Sequence, residues 1–167
     1  MPAPARLALP DVTARLAVVL QEKGWSMATA ESCTGGLMAA ACTDLAGSSN
    51  WFECGFVTYS NAAKTELLGV DGALIDRHGA VSEPVARAMA QGAVARSRAQ
   101  AAAAVTGVAG PGGGSEAKPV GTVWFGWCTP AGTVTEMMLF DGDRPAVRQA
   151  AAAHALARLL DLLDLPP

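Results

Sequence analysis

The sequence predicts an α/β fold, a three-layer α/β/α sandwich on a mixed sheet. Three observations carry this. Apolar stretches at helical spacing alternate with short aliphatic or aromatic stretches along the 167 residues. Two of the short stretches are joined by Thr129-Pro130-Ala131-Gly132, a hairpin signal, so one strand pair is antiparallel. Hydrophobic residues make up 51% of the chain but aromatics only 5%, so the core consists of closely packed helices and sheet rather than large rings.

The elements follow in order. Residues 11–23 place Val12, Leu16, Val19 and Leu20 on one face, with Asp11 as the expected cap and Gly24 as the stop. Residues 25–31 are short and follow that glycine, which predicts a strand. Residues 34–46 form an Ala/Leu/Met helix ended by Gly47. Residues 51–59 are aromatic and β-branched, hence a strand, and Asn61 caps a short helix through Leu68. Ser82-Glu83-Pro84 opens a helix that runs to about Arg98. Residues 101–106 read as a buried strand, because they lead straight into a glycine-rich loop. Strands at 120–128 and 133–140 form the hairpin, and residues 141–163 are mainly a final helix. The order is α-β-α-β-α-α-β-β-β-α.

The length suits one domain over residues 1–167, with neither an internal repeat nor a dividing linker. A net charge of −3 argues against a general nucleic-acid binder, which carries a basic footprint. A mean hydropathy of +0.27 argues against disorder. No apolar run approaches the ~18–20 residues of a membrane span. The first six residues lack the apolar core of a signal peptide. Cys33, Cys42, Cys54 and Cys128 form no CxxC pair, and neither His78 nor His154 is near a cysteine in sequence, so no metal-ligand spacing is present. These features fit a cytoplasmic protein with reduced thiols and no metal. Nine of the twelve basic residues are arginine, and the lysines are Lys23, Lys64 and Lys118. Lysine gives up its proton when buried, whereas arginine effectively never does, so each lysine is worth a question. Tyr59 is the single tyrosine.

Four segments could carry chemistry. Thr29-Ala30-Glu31-Ser32-Cys33-Thr34-Gly35-Gly36 joins a predicted strand to a predicted helix. A serine there sits beside the free N–H groups of a helix start, which suit a developing oxyanion. The plain alternative is that Ser32 or Thr34 caps the helix and the glycines allow tight packing. Tyr59 ends a strand and Lys64 lies one helical turn into the next element, so both can face a strand-end crevice. A lysine with a depressed pKa accepts a serine proton, although a solvated helix lysine is the default. Thr106-Gly107-Val108-Ala109-Gly110 ends a strand in glycines that permit backbone approach to a ligand, while residues 112–115 read as a flexible connection. Arg144, with Arg148 one turn later, stands at a helix start where the dipole disfavours a cation. That cost suggests a grip on phosphate or carboxylate, against the alternative of a surface ion pair with Asp141 or Asp143. Ser115-Glu116-Ala117-Lys118 matches an SxxK spacing but lies between a glycine run and Pro119, outside any helix, and is rejected.

Taken together and in order, Ala30-Glu31-Ser32-Cys33-Thr34-Gly35-Gly36, Gly47-Ser48-Ser49, Gly55-Phe56-Val57-Thr58-Tyr59-Ser60-Asn61, Lys64, Thr106-Gly107-Val108-Ala109-Gly110-Pro111 and Gly142-Asp143-Arg144 closely resemble the nicotinamide-nucleotide amidohydrolase (NMN deamidase) family, that of the CinA C-terminal domain. The resemblance covers roughly residues 10–163. It implies an α/β/α amidohydrolase that converts nicotinamide mononucleotide to nicotinate mononucleotide and ammonia, without a metal or other cofactor. Carried over by motif, Ser32 is the nucleophile, Lys64 the general base, and Tyr59 assists by hydrogen bonding. Ser48 is a further candidate for orienting the lysine or the oxyanion. Cys33, Thr34, Gly35, Gly36, Thr106, Gly107, Ala109, Gly110 and Arg144 are the implied substrate-binding positions. Two other readings stay open: a non-catalytic module that binds a pyridine nucleotide, and a cysteine hydrolase using Cys33, which lacks a sequence-evident histidine partner. Self-association into a homo-oligomer is expected, because an Ala-rich chain with apolar strands gains burial that way.

Overall fold

A computed structural model describes residues 7–165; the reading of the first six residues lies outside them. The elements are α1 (Leu9–Lys23), β1 (Met27–Glu31), α2 (Leu37–Thr43), β2 (Phe52–Val57), α3 (Asn61–Leu68), α4 (Gly72–His78), α5 (Glu83–Ala95), β3 (Ala101–Gly107), β4 (Thr122–Thr129), β5 (Gly132–Leu139) and α6 (Arg144–Leu163), with a 3-10 turn at Ser48–Asn50. The sheet order is β2-β1-β3-β4-β5. β1 pairs parallel with β2 and β3, and β3, β4 and β5 pair antiparallel in sequence. The expected mixed sheet is therefore present, its antiparallel part made of the β4–β5 hairpin and the β3–β4 pairing.

Strand alternation sorts the core into two layers. Met27, Ala101, Ala103 and Val105 face one way, packing with Leu16, Leu20, Met38, Leu156 and Leu159 of α1, α2 and α6. Ala28, Ala30, Ala102 and Ala104 face the other way, packing with Leu68, Ile75, Val85 and Met89 of α3, α4 and α5. The alanines let helices lie close to the sheet. At Gly126 of β4 the approach leaves no room for a side chain: a Cβ there would stand 2.4 Å from the Ala86 carbonyl oxygen of α5.

Several boundaries differ from the expectation. α1 starts at Leu9 on an Ala8 cap, with Pro10 in its first turn, so Asp11 lies inside the helix rather than capping it. α2 starts at Leu37 instead of residue 34, because Gly35 and Gly36 take φ of 57° and 107°, left-handed values that a right-handed helix cannot contain. β2 stops at Val57, leaving Tyr59 beyond the strand. Ser82 occupies the α5 cap position, but its hydroxyl donates to the Gly79 carbonyl instead of accepting from the helix. α4, unassigned from sequence, is capped by Asp71, whose carboxylate accepts from the Ala73 N–H. Among the described residues no helix is long and apolar enough to cross a membrane.

The topology fixes where a ligand can enter. From β1 the chain passes through α2 to β2 on one side, then returns through α3, α4 and α5 to β3 on the other. The carboxyl ends of β1 and β3 thus flank a topological switch point, where open α/β sheets leave a crevice.

Candidate active site

Ser32 follows β1 directly at this switch point. Its N–H donates to the Val105 carbonyl of β3 at 3.0 Å, and the Glu31 carbonyl accepts from the Thr58 N–H at 2.8 Å. The serine is thereby tied to both neighbouring strands. Lys64 reaches it from the first turn of α3, a helix started by Ser60, whose hydroxyl accepts from the Ala63 N–H. Lys64 Nζ lies 2.9 Å from Ser32 Oγ, 2.8 Å from the Thr58 carbonyl and 3.4 Å from the Tyr59 carbonyl.

Lys64 is 1% exposed. Burial, the chief cause, pushes its pKa down to about 8; the nearby Cys33 opposes this weakly. A neutral amine has two N–H bonds and one lone pair. With the Thr58 and Tyr59 carbonyls accepting the two N–H bonds, the lone pair is left for the Ser32 hydroxyl, which then donates its proton. Chemically, such an arrangement can serve as a nucleophile with its base.

The crevice beside this pair has a volume of about 280 Å³. Among its walls are Cys33, Tyr59, Thr106, Gly107, Ala109 and Arg144, all predicted from sequence. Asn61, Ala80 and Val81 also line it, and sequence reasoning did not single them out. Val81 and Ala80 belong to the α4–α5 connection, held by the Thr106 hydroxyl, which donates to the Ala80 carbonyl at 2.9 Å. Arg144 donates to the Gly110 carbonyl at 2.9 Å and to the Tyr59 hydroxyl at 3.3 Å. Tyr59 is 65% exposed. Its carbonyl touches Lys64 while its phenol turns to Arg144, so the contact with the Ser32–Lys64 pair comes from backbone.

Other predicted positions sit differently. Thr34 is buried beneath the turn, and its hydroxyl donates to Glu31 at 2.7 Å. Gly35 and Gly36 shape the turn and do not line the crevice. Ser48 is not brought to the site. It lies in the turn preceding β2, and β2 runs parallel to β1, so Ser48 is at the opposite end of the sheet from Ser32, on the order of 15 Å along the strands. Orienting Lys64 or an oxyanion from there is geometrically excluded. Cys33 is buried, and desolvation raises its thiol pKa to about 11. A thiol so protonated is a poor nucleophile, which counts against the cysteine-hydrolase reading.

The expected use of the α2 N-terminus also changes. Glu31, fully buried, faces α2, and its Oε1 accepts from the N–H groups of Gly36 (3.2 Å) and Met38 (2.9 Å), while Oε2 accepts from Ala39 (3.0 Å). The Leu37 N–H donates to the Thr34 carbonyl. The helix start is occupied by the chain's own carboxylate and is closed to an oxyanion. The N–H groups of Cys33 and Thr34, just after the serine, donate to no backbone or side-chain oxygen among the described residues. An acid one residue before the serine and five to eight before the helix start was the available sequence signal for Glu31.

A larger apolar pocket of about 530 Å³ lies at the other end of the sheet, between Trp25, Trp127, Leu162 and the β4–β5 turn. Its walls carry Lys23, Thr129 and Thr133 but no serine, carboxylate, histidine or cysteine, so it holds no counterpart of the Ser32–Lys64 pair. Among the described residues no group of three or more His, Cys, Asp or Glu side chains is placed to hold a metal ion.

Comparison with known proteins identifies the family. The profile of the family described as CinA C-terminal domain matches residues 10–163. The chain belongs to the CinA C-terminal domain family. It is 52% identical over 153 residues to nicotinamide-nucleotide amidohydrolase PncC of Enterobacter agglomerans, covering 91% of this chain and 93% of that protein. The fold of this CinA-family chain also matches the crystal structure of a competence-damaged protein (CinA) superfamily protein from Escherichia coli, with a TM-score of 0.91 and 38% identity over 97% of this chain and 94% of that one. Other members of the family are longer. A relative from Symbiobacterium thermophilum is 55% identical over 169 residues, which cover 93% of this chain, but the chain spans only 39% of its length.

Proposed function

We propose that this CinA-family chain is an amidohydrolase that cleaves the carboxamide of nicotinamide mononucleotide, using Ser32 as nucleophile and Lys64 as general base. The single observation that carries the mechanism is the 2.9 Å contact between Ser32 Oγ and a desolvated Lys64. The activity for which the Enterobacter agglomerans relative is named supports the substrate.

In this reading Lys64 takes the Ser32 proton as Oγ attacks the carboxamide carbon. The oxyanion meets the N–H of Cys33, the residue after the nucleophile, with that of Thr34 beside it; one well-placed donor of this kind is typically worth ~3–4 kcal/mol. The protonated Lys64 then gives its proton to the departing nitrogen, releasing ammonia and leaving a nicotinoyl ester on Ser32. Water, deprotonated by Lys64, attacks that ester and frees nicotinate mononucleotide. The sum is one amide plus one water giving one acid plus one ammonia.

The phosphate needs a cation at the crevice mouth. Among the described residues Arg144 is the one arginine lining the crevice, and it is held there by Gly110 and Tyr59. Arg148 is already engaged with the carbonyls of Cys33 and Thr34. Tyr59, exposed beside Arg144, offers a ring face to the nucleotide.

Incubation of the purified chain with nicotinamide mononucleotide tests the reading. Stoichiometric ammonia and nicotinate mononucleotide are expected. Calorimetric binding of the nucleotide with no ammonia released would instead identify a non-catalytic binding module.

A further inference from the structure

We propose that Glu31 and Arg148 are paired positioning residues, an anion that holds the Ser32–Gly36 turn and the following helix start by their donors and a cation that holds the turn by its carbonyls, and that together they aim Ser32 Oγ at Lys64. The inference rests on Ser32 being the nucleophile.

Glu31 is 0% exposed, and no lysine, arginine or histidine forms an ion pair with it among the described residues. Burying a carboxylate is costly unless every lone pair is used. Here its oxygens are filled by the Gly36, Met38 and Ala39 N–H groups and the Thr34 hydroxyl, with the Thr29 hydroxyl at 3.4 Å. Capping a seven-residue helix does not require this, because a surface Ser, Thr, Asp or Asn at the cap does the same without burying a charge. What the carboxylate adds is a fixed distance from the β1 end to the far side of the turn.

Arg148 works on the carbonyls of the same turn. It reaches from α6, 115 residues away in sequence. Its Nε donates to the Cys33 carbonyl at 3.0 Å and its Nη2 to the Thr34 carbonyl at 3.2 Å. Two consecutive carbonyls fit the planar guanidinium fork, and an ammonium cannot span them in the same way. A Cβ on Gly35 would stand 3.2 Å from Arg148 Nη2, so the small residue there leaves room for the fork. Thr34 joins the two halves, giving its hydroxyl to Glu31 and its carbonyl to Arg148. In a trans peptide the N–H points opposite to the C=O, so gripping the Cys33 carbonyl turns the Thr34 N–H away from Arg148 and holds it there. Neither Glu31 nor Arg148 lines the crevice, so both act through the turn.

The test compares the full chain with Glu31→Gln, Arg148→Lys and Arg148→Ala. Three quantities are measured: the rate at which a fluorophosphonate labels Ser32, located by mass spectrometry; kcat and KM for nicotinamide mononucleotide; and the circular dichroism melt. Folded variants are expected to lose about 10²-fold in both labelling rate and kcat, the cost of a displacement near 1 Å, with KM within about threefold of native. Millimolar ethylguanidinium is expected to restore part of the Arg148→Ala rate, and ethylammonium is not. Native labelling and kcat in folded Arg148→Lys, or a rise in KM alone, overturns the proposal. If Glu31→Gln fails to fold, Arg148→Lys and the guanidinium rescue decide. Wild-type labelling at Ser32 without ammonia release removes the proposed substrate, and the labelling rates of the variants still judge the clamp.

Discussion

Lys64 Nζ and Ser32 Oγ stand 2.9 Å apart although 32 residues separate them in the chain. The contact exists because β2 runs parallel to β1 and ends level with it, which delivers the first turn of α3 to the serine. Two backbone carbonyls complete the lysine's shell.

Removing either partner should abolish the chemistry. Ser32→Ala is expected to lower ammonia release from nicotinamide mononucleotide by at least about 10³-fold with binding retained. Lys64→Arg keeps the charge but cannot accept the proton, and a loss of about 10²–10⁴-fold is expected. Near-native turnover in either variant, followed by a coupled ammonia assay, removes that residue from its role.

Acidity should control the rate through Lys64. In the proposed mechanism the neutral amine is the active form, so kcat/KM is expected to rise about tenfold per pH unit below about 8 and to level off above it. Stability follows the same group. Its folded pKa, about 8, is below the ordinary 10.5, so between these values the unfolded chain binds more protons and stability rises with pH. The penalty is at its full size below about 8. Lys64→Met is therefore expected to raise the melting temperature at pH 7, with the gain fading as pH approaches 10.5. A constant gain across that range would contradict the assignment.

Phosphate recognition is assigned to Arg144. Arg144→Met is expected to raise KM for nicotinamide mononucleotide about tenfold or more while leaving kcat within a few-fold. For the nucleoside lacking the phosphate the same substitution should change little. Equal effects on the two substrates would place the phosphate elsewhere.

Cysteine chemistry should be silent. With its pKa raised to about 11 and its side chain buried, Cys33 is expected to resist iodoacetamide at pH 8, and Cys42, raised to about 12, likewise. Peptide mapping should place modification on the half-buried Cys54 and Cys128 first. Rapid alkylation of Cys33 in step with inactivation would reopen the thiol mechanism.

Packing between α5 and β4 gives a prediction for stability alone. Gly126→Ala puts a methyl group 2.4 Å from the Ala86 carbonyl oxygen, so the helix must move off the sheet. A loss of roughly 1–3 kcal/mol is expected in urea denaturation, with kcat unchanged.

The sequence by itself determined the order of the five strands and of every helix but α4, the two-sided sheet, and the candidate residues Ser32 and Lys64. Helical spacing in α1, the Gly24 stop and the 129–132 turn are short-range signals, acting over a few residues, whereas Gly47 is no helix stop: α2 ends four residues earlier, at Thr43, and Gly47 opens the 3-10 turn. The choice of Lys64 from three lysines was legible for the same reason: it lies just past a strand end, one turn into a helix, within a motif. Ser48 shows where such reasoning stops. It belongs to a neighbouring motif, yet the parallel β1–β2 register carries it to the far end of the sheet. Only the tertiary structure decided which N–H groups remain free beside Ser32, because Glu31 turns inward and consumes those at the start of α2. Only packing brought Arg148 to the turn across 115 residues, and only desolvation in the assembled core lowered the Lys64 pKa. Burial and long-range contact depend on what surrounds a residue in space, and local pattern does not encode that.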